Sequence, residues 1–158
     1  MDNRDQHFMR LAITLAEQGL QCHAGGPFGA VIVKGDDVVG QGYNCVTSTN
    51  DPTAHAEIVA IRAACQHLRT FQLTGCRLYT SCEPCPMCLG AVYWARLDSV
   101  YYAATREDAA RAGFDDAAFY TEINLPPQER KLPLQQLLRE AAWPVFQAWL
   151  AQTERVRY

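Results

Sequence analysis

Apolar residues recur every three to four positions near the start of the chain, at Phe8, Leu11, Ala12, Leu15 and Ala16. That period predicts an amphipathic helix, ending by Gly19 or at the latest before Gly25-Gly26-Pro27. The pattern then changes. Residues 28–33 and 38–43 are β-rich runs joined by Gly35-Asp36-Asp37, which predicts a hairpin. Residues 44–52 are polar and read as a loop. Asp51 or Thr53 is placed to cap a helix through Ile58, Ile61 and Leu68, with Pro52 tolerated at its start. Residues 76–81 read as a short strand. Pro84 and Pro86 then open a helix reaching about Arg96. Residues 99–103 read as another strand, followed by a helix from about Arg106. Pro126-Pro127 marks a break. Residues 131–138 suit either a fifth strand or a helix, and 141–153 reads as helical although Pro144 disturbs its first turn. Strands alternating with helices predict an α/β fold, with helices on both faces of a sheet. The opening hairpin makes that sheet mixed rather than purely parallel.

Length and composition narrow the class. A chain of 158 residues is the size of one domain, 1–158, and buries roughly 70% of its unfolded surface without needing disulfide staples. No apolar run approaches the length of a membrane span. The polar start Met1-Asp2-Asn3-Arg4-Asp5-Gln6-His7 does not read as a secretory signal, so a cytoplasmic location is expected. Net charge is −3, and the only lysines are Lys34 and Lys131, which argues against a nucleic-acid-binding face. Seven cysteines, an odd number in a cytosolic setting, point to metal or redox chemistry rather than a disulfide framework. Cys22, Cys45, Cys65 and Cys76 read as small buried hydrophobes, and His7, His23 and His67 lack ligand spacing.

The chemistry concentrates in His55-Ala56-Glu57 and Pro84-Cys85-Pro86-Met87-Cys88. Cys85 and Cys88 are three apart, so a helix carries them on one face, where both sulfurs reach one ion. A helix start favours thiolate over thiol. His55 adds a third ligand. Three protein ligands on a tetrahedral zinc leave a fourth position for water, and zinc lowers the pKa of that water toward ~7. Glu57 is then the group to move the proton. Cys82, three residues before Cys85, allows the duller reading of a closed structural site with three cysteines and His55. That reading leaves Glu57 without a purpose. A redox Cys-x-x-Cys leaves both His55 and Glu57 unexplained.

His-x-Glu followed by Pro-Cys-x-x-Cys is the signature of zinc-dependent nucleobase deaminases. Thr53-Ala54-His55-Ala56-Glu57 with Ser81-Cys82-Glu83-Pro84-Cys85-Pro86-Met87-Cys88-Leu89-Gly90-Ala91 resembles the cytidine deaminase superfamily over nearly the whole chain. The resemblance implies a three-layer α/β/α sandwich with a mixed five-stranded sheet. It also implies one zinc per subunit, held by His55, Cys85 and Cys88. Gly25-Gly26-Pro27-Phe28-Gly29, Asn50-Asp51-Pro52, Tyr93-Trp94-Ala95-Arg96, Ala112-Gly113-Phe114-Asp115-Asp116 and Tyr158 are similar, more specifically, to the bacterial guanine deaminases. That likeness implies hydrolysis of guanine to xanthine and ammonia, with Glu57 and Asp116 as proton carriers. Asn44 and Ala54 would contact the base, Phe28 and Trp94 would line the pocket, and Tyr158 would help close it. It further implies a homodimer whose C-terminal segment can exchange between subunits, and no nucleic-acid or membrane partner.

Plainer roles stand beside these. Asn44 also suits a turn after a strand. Phe28 and Trp94 suit a core, and Asp115 or Asp116 suits a helix cap. A tyrosine at a frayed end usually has no role. A tRNA adenosine deaminase shares the zinc motifs but calls for a basic surface and salt-dependent binding. A cytosine or triazine deaminase shares them too. Outside enzymes, the alternative is a structural zinc or nucleic-acid-binding module, which intact Glu57 and three rather than four matched ligands oppose.

Overall fold

The computed structural model describes residues 3–158, which divide into two compact units, one running to Asp116 and one of Ala117–Tyr158. In the first unit, helix α1 (Asn3–Gln21) precedes strands β1 (Gly29–Lys34) and β2 (Asp37–Tyr43). A one-turn helix α2 (Val46–Thr49) leads to α3 (Ala56–Leu68), β3 (Cys76–Cys82), α4 (Pro86–Ala95), β4 (Ser99–Ala104) and α5 (Arg106–Arg111). The expected hairpin forms, with Gly35 at its tip in the left-handed region.

The sheet order is β2-β1-β3-β4. β1 runs antiparallel to both β2 and β3, and β3 runs parallel to β4, so the sheet is mixed as expected. It has four strands among the described residues rather than the five expected. Residues 131–138 form neither strand nor helix. Pro133 removes a ladder donor from the middle of that stretch, which a paired strand does not tolerate.

β1 explains the layering. Its residues up to Val33 are all buried, because a central strand has both faces covered. Ala30 and Ile32 point to one face and join Ala56, Ala60 and Ala64 of α3 with Val92 and Ala95 of α4. Val31 and Val33 point to the other and meet Phe8, Ala12 and Leu15 of α1. This strict alternation is the period-two geometry of a strand. The alanine stripe of α3 lets that helix approach β2 closely. A Cβ at Gly40 would lie 2.4 Å from Ala60 O and 2.7 Å from Ala64 N. Gly40→Ala therefore pushes backbone against backbone. It is expected to destabilise the fold by about 1–3 kcal/mol, read as a lower urea midpoint with an unchanged slope.

One helix start differs from the sequence expectation. Asp51 and Thr53 do not cap α3. Asp51 Oδ1 instead accepts from Thr53 N–H at 2.8 Å and Thr53 Oγ1 at 2.7 Å, closing a tight turn ahead of the helix. The N-cap is His55. By contrast, α5 is capped as the rules expect, with Thr105 and Asp108 forming a reciprocal capping box.

The second unit holds α6 (Ala117–Asn124), a 3-10 turn (Pro127–Glu129) and α7 (Arg139–Ala151), which contains Pro144. Lys131 N–H donates to Glu122 Oε2, and Trp143 stacks on Phe146. No residue of this unit is buried. No helix of the described residues is long and apolar enough to cross a membrane.

Candidate metal centre

Two helix N-termini meet at one point. His55 is the N-cap of α3 and Cys85 the N-cap of α4, both with extended backbone and neither giving its side chain to the cap. Pro86 at the first position of α4 suits a helix start, where no N–H partner is lost. Cys88 lies one turn in. The side chains that would normally cap these helices are turned toward each other instead. His55 Nδ1 lies 3.6 Å from Cys85 Sγ and 3.5 Å from Cys88 Sγ. The three ligand atoms lie within 4.8 Å of one another and are the one such group of histidine, cysteine and acidic residues among the described residues.

The donor set fits zinc. Tetrahedral zinc with Zn–N of about 2.0–2.1 Å and Zn–S of about 2.3 Å requires nitrogen and sulfur about 3.6 Å apart. The two observed separations match that edge. Cys82 is not part of the group. Its Sγ sits 3.5 Å from Thr105 O, and burial pushes its thiol up to about 11. A closed site of three cysteines and His55 is therefore not what the fold builds.

The electrostatics of the three ligands are coupled. Cys88 donates its proton toward Cys85, and this bond, aided by His55, holds the Cys85 thiol down to about 4. The same bond, with burial, pushes Cys88 up. The Cys85 thiolate in turn raises the His55 imidazole. Glu57, only 6% exposed, points its Oε2 at Cys88 Sγ, 3.5 Å away, and burial raises its carboxyl above the usual range. A buried carboxylate beside three ligands is out of place in a purely structural site.

The surroundings place the other expected residues. Ala54, directly before His55, is buried, and its carbonyl accepts from Cys45 N–H at 2.9 Å. This bond ties the Asn44 segment to the ligand segment. Asn44 is 5% exposed, and its N–H donates to Phe28 O. Phe28 is half-buried against the core and meets Phe114 edge to face, with ring centroids 4.9 Å apart. Asp116 is partly buried, which raises its pKa, and the Cys85 thiolate adds to the rise. Trp94 lies 65% exposed on α4, and Tyr158 is 69% exposed in the second unit.

A cavity of 430 Å³ lies on the α1 side, walled by Phe28, Ser81, Cys82, Ala109 and Phe114 among others. None of the three ligands is in its wall. Phe114 is the residue the sequence motif contained without a role. Its aromatic contact with Phe28 needs tertiary proximity that spacing does not reveal.

Comparison with known proteins bears on this geometry. The family model for the cytidine and deoxycytidylate deaminase zinc-binding region matches residues 2–104. Guanine deaminase of Bacillus subtilis is 56% identical over 90% of this chain and 91% of its own. A crystal structure of guanine deaminase from Bacillus subtilis superposes with a TM-score of 0.93 at 53% identity, covering 100% of this chain and 99% of that one. A tRNA-specific adenosine deaminase of Buchnera aphidicola is 33% identical over 89% of this chain and 90% of its own. The matched zinc-binding region contains His55, Glu57, Cys85 and Cys88, and the chain belongs to the cytidine and deoxycytidylate deaminase family.

Proposed function

We propose that this protein hydrolyses guanine to xanthine and ammonia, with one zinc held by His55, Cys85 and Cys88. The observation that carries the reading is buried Glu57 beside a three-ligand cluster of tetrahedral spacing. The 56% identity to a guanine deaminase favours guanine over other bases. It exceeds the 33% shared with the tRNA-acting relative, and net charge −3 does not favour a polyanion.

Bound zinc supplies a Lewis acid that makes water nucleophilic near neutral pH. Glu57 takes the proton from the water that attacks C2 of guanine and delivers it to the ring. C2 becomes tetrahedral, and the exocyclic amine leaves as ammonia once protonated. Asp116 is the second acid for that transfer. Water adds and ammonia leaves, so xanthine remains and the atoms balance. Phe28 offers an aromatic face to the planar base, and Asn44 and Ala54 offer polar contacts at its edge. Trp94 and Tyr158 complete the proposed set.

A homodimer is part of the proposal. Residues 117–158 bury no side chain while exposing Phe119, Ile123, Trp143, Phe146 and Leu150, and a second copy is the occupant that would cover them. Exchange of this segment would bring Tyr158 to the neighbouring site. All seven cysteines are free, and thiolate ligands need a reducing compartment, which supports the cytoplasm.

Zinc-loaded protein incubated with guanine, adenine, cytosine and tRNA tests the substrate. Ammonia is expected from guanine, and release only from tRNA or cytosine would replace this reading. Asp116→Asn is expected to lower kcat/KM for guanine by roughly 10²-fold with zinc retained. Unchanged kinetics would reduce Asp116 to a helix-start residue.

A further inference from the structure

The fold decides which end of the Asn44 amide a substrate meets. Asn44 Oδ1 accepts from Gly26 N–H at 3.2 Å and from Val46 N–H at 3.1 Å. Both donors are backbone amides and cannot reverse their roles. A flipped side chain would set its own NH₂ against two N–H groups, so hydrogen-bond chemistry itself assigns the oxygen to this position. These two bonds use both lone pairs of Oδ1. Nδ2 donates to no group among the described residues. No fully enclosed side-chain nitrogen or oxygen of the described residues lacks a partner, so Nδ2 lies at the small part of Asn44 that stays accessible. The Cys45–Ala54 bond holds the backbone next to Asn44 to the segment that precedes His55.

Gly25 makes the room. A Cβ there would lie 2.1 Å from Asn44 Oδ1 and 2.8 Å from the Asn44 carbonyl oxygen. Glycine is not needed for backbone conformation at this position. The left-handed glycines among the described residues are Gly35, Gly75 and Gly113. The cost of a side chain at position 25 therefore falls on Asn44.

We propose that Gly25 is a positioning residue for substrate recognition, leaving space for an amide clamped by two backbone N–H groups and so making Asn44 a donor to the bound base. The inference rests on the guanine reading above. It also names what is selected. The substrate edge at Asn44 presents an acceptor, a carbonyl oxygen or a ring-nitrogen lone pair, both of which guanine carries. A base turning an amino group there sets donor against donor and is rejected.

A double-mutant cycle tests it, with guanine kinetics and zinc content measured for wild type, Gly25→Ala, Asn44→Ala and the double variant. Guanine turnover by wild type tests the underlying reading, and the cycle then tests the clamp alone. Each single variant is expected to lose roughly tenfold or more in kcat/KM, mainly through KM, with zinc unchanged. The double variant is expected to match Asn44→Ala within about twofold, because both changes remove one donor. Losses that multiply in the double variant, or wild-type kinetics for Gly25→Ala, would overturn the proposal. Should Gly25→Ala not fold, Asn44→Asp decides. It keeps an oxygen for the two N–H groups and replaces the donor with an acceptor. A loss at least as large as that of Asn44→Ala supports the clamp, and near-wild-type turnover overturns it.

Discussion

Glu57→Gln is expected to keep one zinc per chain and to turn guanine over roughly 10²–10⁴-fold more slowly than wild type. The change is isosteric and removes only the ability to accept and return a proton. Glu57 is not among the ligand group of His55, Cys85 and Cys88, so metal content should not move. Its burial makes the prediction sharp. At 6% exposure, solvent has little access to substitute for the carboxylate. Zinc analysis beside steady-state kinetics checks both halves. Wild-type turnover in Glu57→Gln would remove this residue from proton transfer.

Cys88→Ser is expected to lose zinc, activity and the metal-dependent part of stability together. Loss of an outer partner of a metal ligand typically weakens binding by roughly 10–100-fold, and loss of a ligand thiolate should exceed that. Cys88 is fully buried in the first turn of α4, and the hydroxyl that replaces it is a poorer zinc donor. Zinc also ties the start of α3 to the start of α4, so its binding energy adds to folding energy. At free zinc a thousandfold above Kd that amounts to about 4 kcal/mol. For a chain of this size the corresponding rise in Tm is roughly 8–16 °C. Thermal melts with and without chelator should show that rise in wild type and not in Cys88→Ser. A variant that still melted higher with zinc would show that Cys88 is not a ligand.

Much of this site was legible because its chemistry is local. His55 and Glu57 are two apart, and Cys85 and Cys88 are three apart between prolines, so spacing alone suggested the ligands, the base and a helix start. The hairpin was legible from Gly35-Asp36-Asp37, and β1 from its unbroken apolar run. What was hidden depends on long-range placement. That His55 and Cys85 are both N-caps, turned inward rather than onto their own helices, follows from the approach of α3 to α4. Asp51 looked like a cap because it precedes the helix, yet it closes the turn at Thr53 instead. Asn44 read first as a contact to the base, with a turn after the strand as its plainer role. The structure gives its oxygen to the turn and leaves its NH₂ outward. Residues 131–138 misled because Leu132, Leu134, Leu137 and Leu138 suggest a buried element, whereas all four are exposed in this chain.

The most direct measurement is a titration of zinc into metal-free protein, with xanthine formation from guanine followed at each step. The rate is expected to rise linearly and level off at one zinc per chain, with no activity before the first addition and none at any zinc level in Cys88→Ser. Xanthine production by the metal-free protein, or a plateau unrelated to zinc content, would contradict hydrolytic deamination at the His55–Cys85–Cys88 centre.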